Sequence, residues 1–362
     1  MLVNSKLKSA AIELLRSLIS VPSFSKTEDQ TADILIDFLT KKNIPVHRHG
    51  NNIWVKSLNQ NPEYPTLLLN SHHDTVKPVA GWQRDPFAPT IEKDILYGLG
   101  SNDAGASLVS LLAVFLHFYT RKNLPVNLLF LASAEEEISG TNGVEAVLPK
   151  LGKIDFGMVG EPTDMQMATA EKGLLVLDGI ATGKAGHAAR DEGENAIYVA
   201  LRDIEYLQNL RFEKVSEQLG PIKISVTQIQ AGTQHNVVPD KCKFVVDVRT
   251  TAAYSNQEVF DFLNKHTTST LKARSTRLEP SGISIHHPLI QSGKKLGIST
   301  FGSATLSDQA MMKFPTLKMG PGDSSRSHTA DEFILLSEIK NGIDTYIHLL
   351  ENLISFYQNQ SL

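Results

Sequence analysis

Residues 67–76 read LLLNSHHDTV, an apolar run that ends in two imidazoles and a carboxylate, all of them groups that bind protons or metals. Three more apolar runs end in the same manner. NLLFLASA leads into Glu135, Glu136 and Glu137, FGMVG leads into Glu161 and Pro162, and TLKMG leads into a polar stretch containing His328. A fifth group, Asp103, sits in YGLGSNDAGAS just ahead of a helical pattern. Each has an ordinary reading. A lone histidine at a strand end is usually a hydrogen-bonded loop residue, consecutive glutamates often open a helix where the dipole favours acids, and Asp103 could be an N-cap. Five such clusters at equivalent places are a coincidence those readings leave unexplained.

The residue types select a metal. Two imidazoles and three carboxylates without a thiolate suit Zn²⁺, with Co²⁺ or Mn²⁺ as substitutes. There is one carboxylate more than a mononuclear site needs, which points to two ions bridged by an aspartate. Such a pair can hold and deprotonate a water and stabilise the oxyanion formed when it attacks a carbonyl. The spare glutamate of the triplet then serves as general base. Competing chemistries lack their signatures: the chain has no HExxH, no GxSxG elbow and no P-loop lysine, and the glycines of YGLGSNDAG miss the GxGxxG spacing.

The elements that must position these groups alternate in type. SKLKSAAIELLRSLI has apolar residues at helical spacing, and TEDQTADILIDFLTKK repeats the pattern behind a capping-box spacing, Thr27 to Gln30. NNIWVKS, PTLLLNS and, after the helix-like AGASLVSLLAVFLHFY, PVNLLFLAS are short buried strands. The expected fold is therefore α/β, a mostly parallel sheet with helices on both faces, whose ligands bind beyond the carboxyl ends of the strands. Around Lys172 the character changes to a few alternating strands and two helices, the second capped at Ser255 with Glu258 three residues on. The α/β style returns near Ser281. The domains are read as 1–171 and 281–362 for the catalytic part, with 172–280 as an inserted α+β domain.

Composition agrees. At 362 residues the chain is too long for one hydrophobic core. Its 41% hydrophobic and 20% charged residues are those of an ordinary globular protein, and a net charge of −4 without like-charge runs argues against nucleic acid or a membrane as partner. The one cysteine, Cys242, sits in a strand pattern and reads as a packed thiol in a reducing compartment. The N-terminal stretch has no uninterrupted apolar core and is not a signal peptide. The longest apolar stretch, Leu108 to Phe118, is too short to span a bilayer. A cytoplasmic protein is expected.

The segments SHHDTV, YGLGSNDAG, ASAEEEISGTNG, GEPT, GKAGHAA, TQHNVVPDKCKFVVDVR and GPGDSSRSHTADEF resemble, in order and across most of the chain, the two-zinc amidohydrolase family that includes acetylornithine deacetylase, succinyl-diaminopimelate desuccinylase, carboxypeptidase G and aminoacylase. The resemblance implies that His72 and Glu161 bind one zinc, that Asp103 bridges both, and that His328 and Glu137 hold the second. It makes Glu136 the base, Glu135 taking the family's aspartate position, and gives Asp74 the task of holding the His72 ring in its ligating tautomer. The inserted domain becomes a lid and dimerisation domain. His187 would reach a partner subunit's site and steady the carbonyl oxygen, while Asn236 and Arg249 grip the substrate. Departures from the family pattern are Arg190 among acids where a proline is usual, His235 before the asparagine, and Arg326 two residues before His328.

The expected function is hydrolysis of the N-acyl amide of an N-acylated amino acid, of the acetylornithine deacetylase type in arginine biosynthesis, with acetylcitrulline or succinylcitrulline as other substrates and a homodimer as the assembly. A dipeptidase or carboxypeptidase of the same family is the alternative. A non-catalytic metal-binding relative would have lost the base or a ligand, and every position here is filled.

Overall fold

The computed structural model describes residues 5–360. In chain order its first elements are α1 (Ser5–Ile19), α2 (Asp29–Thr40), β1 (His47–His49), β2 (Asn52–Lys56), β3 (Thr66–His72), β4 (Thr90–Glu92), β5 (Ile95–Tyr97), α3 (Ala106–Phe118), β6 (Asn127–Ser133), α4 (Val144–Leu151), β7 (Phe156–Val159) and β8 (Met167–Glu171). The middle of the chain forms β9 (Gly173–Thr182), β10 (Gly186–His187), α5 (Ala196–Asn209), β11 (Lys223–Ala231), β12 (Val237–Val238), β13 (Lys241–Thr250), α6 (Asn256–His266), β14 (Thr270–Ala273) and β15 (Ser281–Gly282). It closes with α7 (Pro288–Lys294), β16 (Thr300–Ser303), β17 (Thr316–Lys318), β18 (Phe333–Leu335) and α8 (Leu336–Gln360).

Contacts divide this chain into two compact units. One takes in the chain through Thr169, then Gly282–Phe301 and the residues from Ser307 on; the other comprises Ala170–Ser281 and Gly302–Leu306. The short return segment joins the second unit, where the Ser303 carbonyl accepts the Lys172 N–H at 3.1 Å.

In the first unit the sheet runs β1-β2-β6-β3-β7-β17-β8. Its four central strands, β6, β3, β7 and β17, are parallel, and the flanking β1, β2 and β8 are antiparallel to their neighbours. Side chains alternate between two cores. Leu67, Leu69, Leu128 and Phe130 pack with α1, α2, α3, α7 and α8, while Leu68, Leu129 and Leu131 pack with Val144, Val147 and Leu151 of α4. Because both faces are covered, the strands read as unbroken apolar runs. Burying each such leucine contributes about 1.5–3 kcal/mol. Register then levels the strand ends: His72 pairs with Ser133, and Asn70 lies between Leu131 and Val159. Whatever follows β3, β6 and β7 must emerge at one rim.

Two expectations need correction. α2 does not carry the Thr27–Gln30 capping box. Its N-cap is Glu28, without a side-chain cap, because the Thr27 hydroxyl donates to the Phe24 carbonyl at 3.0 Å instead. The apolar stretch ending at Phe118 is also longer than read. From Ser101 it has the length and hydropathy of a short membrane span, but most of it is buried inside this unit, where α3 packs on α8, α1 and β3.

The second unit is an antiparallel sheet in the order β11-β13-β9-β14, with α5 and α6 on one face. Cys242, Phe244, Val246 and Val248 of β13 all point into that core, so the lone cysteine is a packed side chain. The Ser255–Glu258 capping box at the start of α6 is present. β10 and β12 form a separate two-stranded ribbon.

Candidate metal centre

Seven of the ten candidate residues lie in the first unit, and the fold brings them together. His72 is the last residue of β3, and Glu136 and Glu137 occupy a 3₁₀ turn just past β6. Glu161 follows β7 by two residues, and His328 follows the turn Ser324–Arg326 beyond β17. Asp103 sits in the tight turn Ser101–Gly105 that opens α3, and its peptide bond to Ala104 is cis. The loops after β7 and β17 are zipped together: Gly320 donates to the Thr163 hydroxyl at 3.0 Å and accepts from the Met165 N–H at 2.9 Å. Glycine is required at 320, since a Cβ there would run into the Ser107 hydroxyl and the Glu161 backbone.

His72 Nε2 lies 3.4 Å from Asp103 Oδ1, 3.8 Å from Glu161 Oε1 and 3.9 Å from Glu136 Oε2. His328 Nε2 lies 3.0 Å from Glu137 Oε2 and 3.6 Å from Asp103 Oδ2. Asp103 thus turns one oxygen to each histidine. Potential ligand atoms of His72, Asp103 and Glu137 all fall within 4.8 Å of one another, as do those of His72, Glu136 and Glu161. Glu135 is not among them. Its backbone is left-handed (φ 56°), and its carboxylate turns back onto Asn142, which donates its side-chain amide at 3.1 Å.

The charges are crowded. Burial pushes Glu161 up to about 8, with Asp103 and Glu137 adding repulsion. Burial also holds Glu136 well above the usual carboxylate range, reinforced by Glu161, Asp308 and Glu137. Asp103 stays below that range: burial opposes its charge, but the His72 ring beside it outweighs that. The Glu137 carboxylate raises His328 to about 9. His72 Nε2 is buried and has no hydrogen-bond partner, although carboxylate oxygens surround it. An orphaned imidazole nitrogen, a set of repelling carboxylates and hard O/N donors without sulfur fit divalent cations of the zinc type.

Asp74 meets the His72 ring with its backbone as well as its carboxylate. The His72 Nδ1–H finds the Asp74 backbone carbonyl at 2.9 Å, and the Asp74 carboxylate is further away at 3.5 Å. That carboxylate also accepts the backbone N–H groups of Glu136 at 3.0 Å and Glu137 at 3.2 Å, plus the Ser25 hydroxyl at 2.7 Å. His73, the second imidazole of the opening run, faces away. Its ring nitrogens meet Thr31 at 2.8 Å and the Asn51 carbonyl at 2.9 Å, and burial lowers it to about 4.

Sequence reasoning missed two acids that brace the site. Glu28 accepts the Glu135 N–H at 3.2 Å and the Asn51 side chain at 2.8 Å. Glu332, 2% exposed, accepts three backbone N–H groups of the Asp103 turn. Both look like surface acids in a sequence, because their partners are distant in the chain.

The other three candidates belong to the second unit. His187 of β10 pairs with Val237 of β12, and just beyond the ribbon the Asn236 carbonyl accepts the Ala188 N–H at 3.0 Å. Arg249 forks onto Asp247, two residues back on β13, at 2.9 and 3.1 Å. Of the unusual residues, Arg326 is engaged by a fork onto Glu338 at 2.7 and 3.0 Å and stacks on Phe333, so it anchors the loop beneath His328. Arg190 and His235 are exposed.

Residues 68–352 match the family model described as Peptidase family M20/M25/M40. The chain is 29% identical over 376 residues to acetylornithine deacetylase of Proteus mirabilis (strain HI4320), covering 94% of this chain and 96% of that protein. It is 28% identical over 287 residues to succinyl-diaminopimelate desuccinylase of Pelagibacter ubique (strain HTCC1062), covering 74% of this chain and 72% of the relative. Among solved structures, a dinuclear metal-binding peptidase of the M20 family from Bacillus subtilis shares the fold with a TM-score of 0.74 at 16% identity, covering 98% of this chain and 99% of that one.

Proposed function

The chain belongs to peptidase family M20/M25/M40, a family of metal-dependent hydrolases, and within it we propose a two-zinc enzyme that removes the acyl group from an N-acylated amino acid. The observation that carries the reading is the split of Asp103, with one oxygen 3.4 Å from His72 and the other 3.6 Å from His328. That is the arrangement of a carboxylate shared by two cations. His72 and Glu161 would hold one ion, His328 and Glu137 the other, with Co²⁺ or Mn²⁺ able to replace zinc.

When bound, the ions acidify a water and offset negative charge on the substrate's carbonyl oxygen. Glu136 accepts the proton of that water on its carboxylate, and burial makes it a better proton acceptor than a surface acid. It returns the proton to the departing amine. The Asp74 carboxylate fixes where Glu136 stands by accepting its backbone N–H. His187 supplies a donor for the carbonyl oxygen, and Asn236 and Arg249 hold the amino-acid end of the substrate. Asp247 takes the Nε and Nη2 side of the Arg249 guanidinium and holds it in place, so the grip on a substrate carboxylate would fall to the Nη1 side.

Both named relatives hydrolyse N-acyl amides of amino acids by their names, and the acetylornithine deacetylase spans nearly the whole chain. That supports acetylornithine, acetylcitrulline or succinylcitrulline as substrate and a place in arginine biosynthesis. The homodimer is proposed to form through the second unit, domain 172–280 by sequence. β11 ends its sheet order, and Ile229 on it and Tyr198 and Leu201 on α5 are 55%, 62% and 49% exposed, which leaves an unpaired edge beside apolar surface.

The deciding assay follows hydrolysis of the three acyl substrates beside a panel of dipeptides, with and without chelator. Chelator-sensitive turnover of one acyl substrate supports the reading and names the substrate. Turnover of dipeptides alone moves the enzyme to the peptidase branch.

A further inference from the structure

Glu332 follows the candidate ligand His328 by four residues, yet its carboxylate is spent on another loop. One oxygen accepts the Gly100 N–H at 2.9 Å, and the other accepts the N–H groups of Asn102 at 2.8 Å and Asp103 at 2.9 Å. The Glu332 carbonyl accepts the Gly98 N–H at 3.0 Å as well. Four backbone donors of one turn therefore converge on a single residue. Just beyond, Phe333 pairs with Tyr97 where β18 meets β5, so the two chains are already aligned as they enter the clasp.

Asn102 answers from the other side. Its side-chain amide donates to the Asp323 carbonyl at 3.0 Å and accepts the Asp323 N–H at 3.1 Å. The turn that presents Asp103 and the loop that presents His328 are thus joined at both ends of the latter. Asp103 has to split its oxygens between two histidines carried by different segments, at 3.4 and 3.6 Å. Carboxylates that receive several backbone N–H bonds in a buried place are well suited to fix a turn, since each donor would otherwise be unpaired.

We propose that Glu332 is a positioning residue whose clasp on the Gly100–Asp103 backbone sets the Asp103 carboxylate between His72 and His328. It touches neither substrate nor ion; it acts through Asp103. The proposal rests on the two-ion reading above.

The test is titration of metal-free protein with Co²⁺, following its visible absorption and competition with a chelator, for wild type, Glu332→Gln, Glu332→Asp and Asp203→Asn. Glu332→Gln places an amide donor against backbone donors and should weaken the second Co²⁺ by about 10- to 100-fold, the range seen when partners of metal ligands are removed, with an altered Co²⁺ spectrum. Glu332→Asp keeps the charge but draws the oxygens back by one methylene, and should be weakened too. Asp203→Asn removes a buried carboxylate that likewise accepts two backbone N–H groups, of Thr268 at 3.0 Å and Ser269 at 2.7 Å, but in the second unit; it should lower thermal stability and leave both Co²⁺ affinities and the spectrum unchanged. Wild-type affinities and spectrum in Glu332→Gln would overturn the proposal. So would a wild-type Glu332→Asp beside a weakened Glu332→Gln, since charge alone would then account for the effect. A wild-type chain that takes up fewer than two ions would instead overturn the two-ion reading, and the clasp's role with it.

Discussion

Asp74 holds Glu136 by its backbone: the carboxylate accepts the Glu136 N–H at 3.0 Å and, with its other oxygen, the Glu137 N–H at 3.2 Å. One acid therefore sets the place of both the proposed base and a proposed ligand. Asp74→Asn puts an amide donor where two backbone donors converge. It should reduce kcat/KM and metal content together, by about 10- to 100-fold. Steady-state kinetics alongside bound-metal analysis checks this; a loss confined to KM would assign Asp74 to substrate binding instead.

Glu136→Gln keeps the shape of the side chain and removes its capacity to take a proton. Turnover should fall by about 10²- to 10⁴-fold while two metal ions per chain are retained. Near wild-type turnover with both ions bound would remove Glu136 from the base role.

If His187 serves the site of a partner subunit, two inactive variants should rescue one another. Glu136→Gln and His187→Ala, mixed one to one and allowed to exchange subunits, give heterodimers with one intact site. Random pairing in a two-fold dimer restores about a quarter of the wild-type rate. No recovery, with exchange confirmed by mass-tagged chains, would place His187 in its own subunit's chemistry or outside it.

Cations should stabilise the fold, because they offset the repulsion that keeps Glu161 at about 8 and Glu136 higher than usual. Free metal at a hundred times its Kd adds about 2.7 kcal/mol to unfolding. Thermal melts with zinc and with chelator should separate accordingly. His328→Ala should shrink that separation without abolishing it, since His72 and Glu161 still form the other cluster.

Away from the centre, His287 gives a pH dependence with a definite sign. It caps α7 by accepting the Leu289 N–H at 3.2 Å and packs on Phe156, and burial lowers it below the ordinary 6.5. The unfolded chain therefore binds this proton more readily than the folded one. The stabilisation is complete above about pH 6.5 and is lost as pH falls through the folded value. His287→Asn keeps a cap acceptor but loses the ring contact, costing about 1 kcal/mol at pH 7.5. The gap to wild type should narrow in melts at pH 5.

The strands that carry the centre were legible because both faces of the sheet are covered. LLLN, NLLFLAS and FGMV had to be apolar throughout, so the first polar residues after them stood out as His72, the glutamate triplet and Glu161. Motif resemblance selected Glu136 and Glu137 from the triplet, and the structure places these two beside the histidines and turns Glu135 to Asn142. What the sequence concealed were contacts between distant segments. Glu332 lies 232 residues from Gly100, and Asp308, which takes the amide of Asn70 at 3.0 Å, lies 238 residues from it. No local period records such pairs. Thr27–Gln30 failed for the opposite reason: the spacing was right, but the hydroxyl was claimed by a nearer carbonyl.

The separation of Glu137 and His328 by 191 positions also bears on how the chain is made. A chain still on the ribosome exposes His72, Asp103, the glutamates and Glu161 well before His328 and Glu332 exist. Until β17 joins β7, it holds an incomplete cluster of mutually repelling acids with one imidazole. The two histidines that flank Asp103 therefore meet only after most of the described chain has been made. Fragments cut before that point lack His328 and Glu332, so their Asp103 turn is neither shared between two histidines nor clasped at its backbone.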